Sequence, residues 1–236
     1  SRGWFSDVHF VDEKIGWAVG WGITIKTIDG GLTWSNNYWT VFSGPDIRKI
    51  SMIDDRYGSI VGIQGEQYFT VDSGRVWFGM GRHNARDLNS IRFLNETSGS
   101  IVGAKGHICR SSDGGRNWNT QTSGTTHDLH DVFFVDESNG WVVGEAGTIL
   151  RTKNGGTTWE SLSRGLRNTF IDIEMEMNGN GWAVGDSGKI LYTDNFGLEW
   201  NEQESGTNSK LLDIFSNSPN RAWVVGDKGT ILVTNS

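Results

Sequence analysis

The chain has few of the residues that staple or interrupt a fold. Its 236 residues include a single Cys, Cys109, and only two Pro, Pro45 and Pro219. One Cys excludes an internal disulfide framework and a multi-cysteine zinc site. No apolar run approaches the roughly 18 residues that a membrane-spanning helix needs. There is no initiator Met, and Ser1-Arg2-Gly3 leads into neither a charged n-region nor an apolar h-region. The expectation is a mature form or a fragment, with no signal peptide visible. Positive charge is also short: 21 Lys and Arg face 28 Asp and Glu, a net charge of −7. That balance argues against generic nucleic-acid binding, which wants a basic surface. No segment sustains a capped helical period.

What the chain has in quantity is Gly, 33 residues, and Trp, 12 residues. Both are periodic. Gly20, Gly62, Gly103, Gly144, Gly185 and Gly226 are spaced 42, 41, 41, 41 and 41 residues apart. Trp34, Trp77, Trp118, Trp159 and Trp200 follow at 43, 41, 41 and 41. Two independent columns with one period define six repeats. Each repeat reads as four short strands bounded by Gly, Asn and Asp clusters. Strand A is of the Asp131-Val132-Phe133-Phe134 type and strand B of the Gly140-Trp141-Val142-Val143-Gly144 type. Strand C is of the Thr148-Ile149-Leu150-Arg151-Thr152 type, and strand D starts at the Trp after a Gly-rich turn. A Gly-x-x-Gly pair, such as Gly144 with Gly147, joins B to C, where Gly supplies a positive φ. The C–D turn repeats as Thr27-x-Asp29-x-Gly31-x-x-Trp34, with copies at Thr70, Ser111, Thr152 and Thr193. Its Asp or Asn is expected to bond backbone N–H groups two residues on.

This turn resembles the Asp-box, or BNR, repeat. The fuller unit over 140–159 resembles the photosystem II assembly/stability factor family, and the resemblance runs over essentially the whole chain. Four strands in each of six repeats predict an all-β propeller in a single domain over 1–236, the fold class that the resemblance also implies. The repeats fall near 5–44, 45–85, 86–126, 127–167, 168–208 and 209–236. The sixth stops at Thr234-Asn235-Ser236, before its Asp-box, so the last blade is expected to be incomplete. Since the family is usually seven-bladed, a fragment of a seven-bladed propeller is the alternative. An open outer edge on the last blade would invite a strand from a partner. The resemblance further implies a non-catalytic scaffold or assembly factor that works outside the cytoplasm (periplasm, thylakoid lumen or secreted), peripheral to a membrane complex, without a cofactor.

Several motifs dissolve into the repeat. Gly185-Asp186-Ser187-Gly188 has the letters of a serine-protease signature but occupies the B–C turn column. Asp7, Asp131, Asp172 and Asp213 share a strand A column, which could ring a cation or simply accept backbone hydrogen bonds. His127, Asp128, His130 and Asp131 are metal-ligand types, yet they run along a connector into a strand whose neighbours face opposite ways. Sialidases carry Asp-boxes too, but their chemistry requires three arginines, a Tyr with an acidic partner and an Asp; no Arg-x-Pro motif is present, and Tyr68 lies in a repeat column.

Departures from the repeat carry more information. Nine Trp residues fill repeat columns and are expected in the core. Trp4, Trp21 and Trp39 do not, and up-and-down topology places all three on the D–A/B–C face near the first blade. Residues 75–116 hold seven Lys and Arg against three Asp and Glu. Arg82, Arg86 and Lys105 fall on that same face, beside His107. Arginine forks dock carboxylates, and exposed aromatics anchor interfaces. The expected partner-binding surface is therefore Trp4, Trp21, Trp39, Arg82, Arg86, Lys105 and His107, with no catalytic or metal residue. Two other readings stay open: a secreted carbohydrate-binding or glycosidase-like propeller, and a structural subunit of a larger membrane complex or filament.

Overall fold

The computed structural model describes residues 4–35, 46–82, 86–163, 165–218 and 221–234. The fold is all-β: six antiparallel sheets of propeller-blade type, each with its strands in sequential order. Blade 1 holds Phe5–Phe10, Gly16–Gly20 and Ile23–Thr27, and blade 2 holds Ile47–Met52, Gly58–Gly62, Glu66–Thr70 and Phe78–Arg82. Blade 3 is Leu88–Phe93, Gly99–Gly103, His107–Ser111 and Asn119–Thr122. Blade 4 is Leu129–Phe134, Gly140–Gly144, Ile149–Thr152 and Glu160–Ser161, and blade 5 is Phe170–Met175, Gly181–Gly185, Ile190–Thr193 and Asn201–Gln203. Blade 6 has three strands among the described residues, Leu211–Ser218, Arg221–Gly226 and Thr230–Val233. Blade 1 likewise has three, extended by an isolated bridge between Lys26 and Ser35. Contacts divide the chain into two compact units, residues 1–104 with 108–120 and residues 105–107 with 121–236.

The glycine column has a steric cause. In each repeat the first B–C turn residue donates its N–H to the carbonyl just before strand A: Ile63 to Asp46 at 3.1 Å, Ala104 to Asp87 at 2.9 Å, Glu145 to Asp128 at 2.9 Å and Asp227 to Lys210 at 2.8 Å. That bond draws the backbones together at Gly62, Gly103, Gly144 and Gly226, where a Cβ would fall into the same carbonyl oxygen. Their φ angles are ordinary extended values where given, −160° at Gly62 and −173° at Gly144, so close approach alone selects Gly. Positive φ comes later in the turn. Gln64 and Gly65, at φ 57° and 75°, form a type I′ turn, the hairpin that matches strand twist. Ala146, Ser187 and Lys228 take the same left-handed role without being Gly.

The Asp-box works differently from the expectation of a bond two residues on. The Asp29 carboxylate accepts the N–H of Thr33, four residues on, at 2.9 Å. It is the hydroxyl of Thr27 that takes the nearer N–H groups, those of Asp29 and Gly31. The other four copies repeat this, with Asp113 to Asn117 and Asn154 to Thr158 both at 2.9 Å. The turn Trp118, Trp159 and Trp200 are half-buried plates rather than core, Trp34 is exposed, and Trp77 alone of the five is buried. Trp34, Trp118 and Trp159 meet the last aromatic of their own strand A edge-on.

Blades pack through strand B. In the first unit, buried Trp17 and Val19 cover Ile47, Ile50, Met52 and Ile60 of blade 2. The Trp17 indole N–H reaches the Ser73 carbonyl at 3.0 Å, and Lys26 lies over its ring. In the second unit Trp141 repeats the arrangement, with its N–H on Phe196 O at 3.1 Å and Arg151 over the ring. A satisfied indole N–H removes the cost of burying such a ring.

Strand A supplies a second link between blades. A bulge between its first and third residues recurs in all six repeats. Bulges re-aim side chains, and where the third residue is Asp7, Asp131 or Asp172 its carboxylate bonds the next blade. Asp7 accepts from Ile50 N–H at 2.8 Å, Asp131 from Ile173 at 3.4 Å and Asp172 from Ile214 at 2.8 Å.

Candidate functional site

In the first unit, the ends of strands A and B bring two of the irregular tryptophans together. Trp21 N–H donates to Trp4 O at 3.1 Å. Trp21 and Gly22 replace the longer turn of the other blades, with Gly20 paired to Ile23 and Gly22 at φ 64°. The shorter turn leaves Trp21 58% exposed and Trp4 81% exposed. Trp21 also bridges to Asp46 at the entry to blade 2. Asp46 in turn holds the Ile63 N–H, and the adjacent Gln64 N–H bonds the Asp87 carboxylate at 3.0 Å. Backbone contacts thus run along the turn end of the unit from Trp4 to Gln64, and the Asp87 carboxylate closes the series.

Arg86, next to Asp87, is half-buried, and its guanidinium has no ion-pair or hydrogen-bond partner among the described residues. Arg48 is the cation that sequence reading missed. Its guanidinium forks, pairing with Asp87 at 2.9 Å and bonding Asn89 Oδ1. It sits in strand A of blade 2 at a position held elsewhere by Ser6, Asn89 and His130, so no repeat column announced it. Further along the strand A row, Lys49 lies 3.7 Å from Asp7. Burial, then the positive charges of Arg92 and Lys49, hold His9 down to about pKa 4. This end of the unit therefore carries exposed indoles and arginines, with Arg48 and Lys49 each balanced by a carboxylate.

The other expected residues are distributed otherwise. Trp39 lies outside the described residues. Arg82 ends strand D of blade 2, its backbone paired with Glu66. Lys105 is exposed in a left-handed turn position, φ 57°, with its N–H on Asp128 Oδ1 at 2.9 Å. His107 is buried, 3% exposed, because it opens strand C instead of closing the turn; it presents no surface to a partner. Lys105 and His107 belong to the second unit.

The remaining constellations have structural uses. Asp128 holds the Lys105 N–H, Asp131 caps the next blade, and His127 donates its N–H to Thr125. The described residues contain no group of three or more His, Cys, Asp or Glu arranged to hold a metal ion. Tyr68 does have an acidic neighbour, its hydroxyl donating to Glu66 at 3.3 Å, but its ring packs against the core of blades 1 and 2. In the second unit a cleft of about 550 Å³ lies along strand C of blade 6, lined by Gln203, Ser205, Ile231 and Val233 among others. No helix among the described residues is long and apolar enough to cross a membrane.

Comparison with known proteins agrees with the repeat. A family described as Photosynthesis system II assembly factor YCF48 matches residues 2–125, 82–166 and 121–202. A solved structure described as YCF48 bound to D1 peptide is 22% identical, with a TM-score of 0.56 over 99% of this chain and 92% of that one. YCF48 from Cyanidioschyzon merolae is 16% identical, with a TM-score of 0.54 over 99% and 95% of the two chains. An ancestral GH74 enzyme superposes with a TM-score of 0.74 at 14% identity over 99% of this chain and 38% of its own, a likeness of fold alone. No curated protein matches. The family match spans well over half of the sequence: the chain belongs to the photosynthesis system II assembly factor YCF48 family.

Proposed function

We propose that the protein is a non-catalytic docking factor that holds an extended segment of a partner protein on the turn end of its first unit. One observation carries the reading: Trp4 and Trp21 are joined by a backbone hydrogen bond, both exposed, on the same turn end as Arg86, whose guanidinium has no partner among the described residues. Rigid aromatic plates bury large area at low entropic cost, and a free guanidinium fork selects a carboxylate. Arg82, at the end of strand D of blade 2, belongs to the surface in this reading, and Arg48 is steadied beside it by Asp87. His107 is left out because it is buried. The family relationship and the peptide-bound relative support a partner drawn from a membrane complex, met outside the cytoplasm. The cleft beside strand C of blade 6 supports a second mode, strand addition, in which a partner segment takes the place of strand D.

The test is a pull-down from native membrane and soluble extracts with wild type beside Arg82→Glu/Arg86→Glu and Trp21→Ala/Trp39→Ala variants. A discrete partner captured by wild type and lost in both variants is the expected result. Capture unchanged in both would remove this surface as the docking site.

A further inference from the structure

The A–B turn and the Asp-box turn of one blade lie side by side. Gly155 N–H donates to Ser138 O at 2.9 Å in blade 4, and Phe196 N–H to Gly179 O at 2.9 Å in blade 5. In blade 5 both turns break the repeat. The A–B turns of blades 1, 2 and 4 are closed by Asp12, Asp54 and Asp136 and that of blade 3 by Asn95, each accepting two backbone N–H groups on one oxygen. Blade 5 has Met177 at that position, 80% exposed, and closes its turn with the Asn180 N–H on Asn178 Oδ1 at 2.9 Å. In the Asp-box turn the left-handed position is Gly30, Ser73, Gly114 and Gly155 in blades 1 to 4, and Phe196, at φ 61°, in blade 5. The Phe196 ring lies across Gly179, where a Cβ would meet it, and the Arg151 guanidinium lies over the ring, 5.7 Å from its centre. Two residues on, Leu198 is 43% exposed. The exposure belongs to the turns themselves: Asp136 and Thr157, at the columns of Met177 and Leu198 in blade 4, are exposed although blade 5 follows them. A bulky residue in the left-handed region works against folding, and residues that break the rules of their own repeat mark functional sites. The charge of this end is singular too. Residues 176–180 and 194–200 hold Glu176, Asp194 and Glu199 and no Lys or Arg, whereas the matching turns carry Lys14 in blade 1, Arg56 and Arg75 in blade 2, Arg116 in blade 3 and Lys153 in blade 4. The carboxylates of Asp194 and Glu199 have no ion-pair or hydrogen-bond partner among the described residues, and that of Glu176 holds the Asn178 amide at 3.1 Å.

We propose that the Asp-box end of blade 5 is a second docking surface, which takes a basic protein segment presenting an apolar side chain among Lys or Arg. Met177, Leu198 and the half-buried Phe196 supply the apolar centre, and Met adapts to side chains of different shape. Glu176, Asp194 and Glu199 form a rim of one sign, which attracts cations and turns away acidic segments. An apolar centre within a charged rim is the anatomy of a protein interface. Its charge preference is opposite to that of the carboxylate-selecting surface of the first unit, so the two surfaces take different segments.

Selection from a displayed random-peptide library on wild type tests this, with the library first depleted on Met177→Asn/Leu198→Thr. That variant gives blade 5 the residue types of Asn95 and Thr157 at these two columns and leaves the charge of the surface unchanged. It is expected to melt no lower than wild type, because the substitution at Met177 restores a side-chain acceptor to the turn. Peptides retained by wild type are expected to be rich in Lys and Arg around an apolar residue. Their affinity is expected to fall about tenfold or more in the variant, and to weaken in Asp194→Asn/Glu199→Gln and as salt is raised. No peptide that distinguishes wild type from the depleting variant, enriched peptides that are acidic or uncharged, or affinity indifferent to the two acid substitutions would each overturn the proposal. So would a Met177→Asn/Leu198→Thr protein that melts well below wild type, since the two side chains would then serve the fold.

Discussion

Replacing Gly144 by Ala tests the reason for the most regular feature of the sequence. Gly144 has φ −173°, which any residue can adopt, so Ala meets no conformational penalty there. The obstacle is space. A Cβ would run into the Asp128 carbonyl oxygen and lie 3.0 Å from Leu129 Cα. The atoms in the way are backbone, fixed by the Glu145 N–H bond to that same oxygen at 2.9 Å, so strands A and B must part. Overpacking of this kind costs about 3 kcal/mol. For a chain of this size each kcal/mol lowers the melting temperature by roughly 2–4 °C, a drop of about 6–12 °C in the transition of the second unit. Gly206→Ala is the control. Gly206 has φ 71° with nothing within 4 Å of a Cβ, so only the left-handed penalty of about 1 kcal/mol applies. Thermal unfolding of both variants, followed by circular dichroism, decides. If Gly144→Ala melts no lower than Gly206→Ala, the close-approach explanation of the column is wrong.

Other consequences are open to the same assay. Asp113→Ala removes the acceptor for Asn117 and Ser111 and is expected to cost about 1–2 kcal/mol, while Asp113→Asn stays near neutral because Asn154 fills that role in blade 4. Asp172→Ala strands the buried Ile214 N–H and is expected to cost about 1–3 kcal/mol. His9 titrates near 4 when folded against 6.5 when free. The unfolded chain therefore binds the extra proton between those values, and stability falls as pH drops from about 6.5 to about 4, by up to about 3 kcal/mol. His9→Gln is expected to flatten that slope in pH-dependent denaturant unfolding.

Local patterns in the sequence carried over well. The Gly and Trp columns and the Asp-box spacing identify six repeats because each is a device closed within one blade, and the structure repeats them at the expected positions. What was not legible joins parts of the chain about 40 residues apart. The strand A carboxylates bond N–H groups one repeat later, Asp7 to Ile50 and Asp172 to Ile214, and nothing at the Asp itself names that partner. Arg48 escaped notice because its column holds unlike residues, and only the fold brings Asp87 and Asn89 to it. His107 was expected on the surface, yet it opens strand C at the column of Thr148 and is buried there. Trp4 and Trp21 were recognisable because they break the repeat; the hydrogen bond that fixes them together was not.

The proposed docking surface is tested most directly by titrating the purified protein with an extended peptide that ends in a free carboxylate, the group a guanidinium fork selects, reading Trp fluorescence. The account predicts saturable binding that moves the signal of the exposed indoles, weakened tenfold or more by Arg86→Glu and by Trp21→Ala with folding unchanged. Binding of equal affinity in wild type and both variants would contradict it.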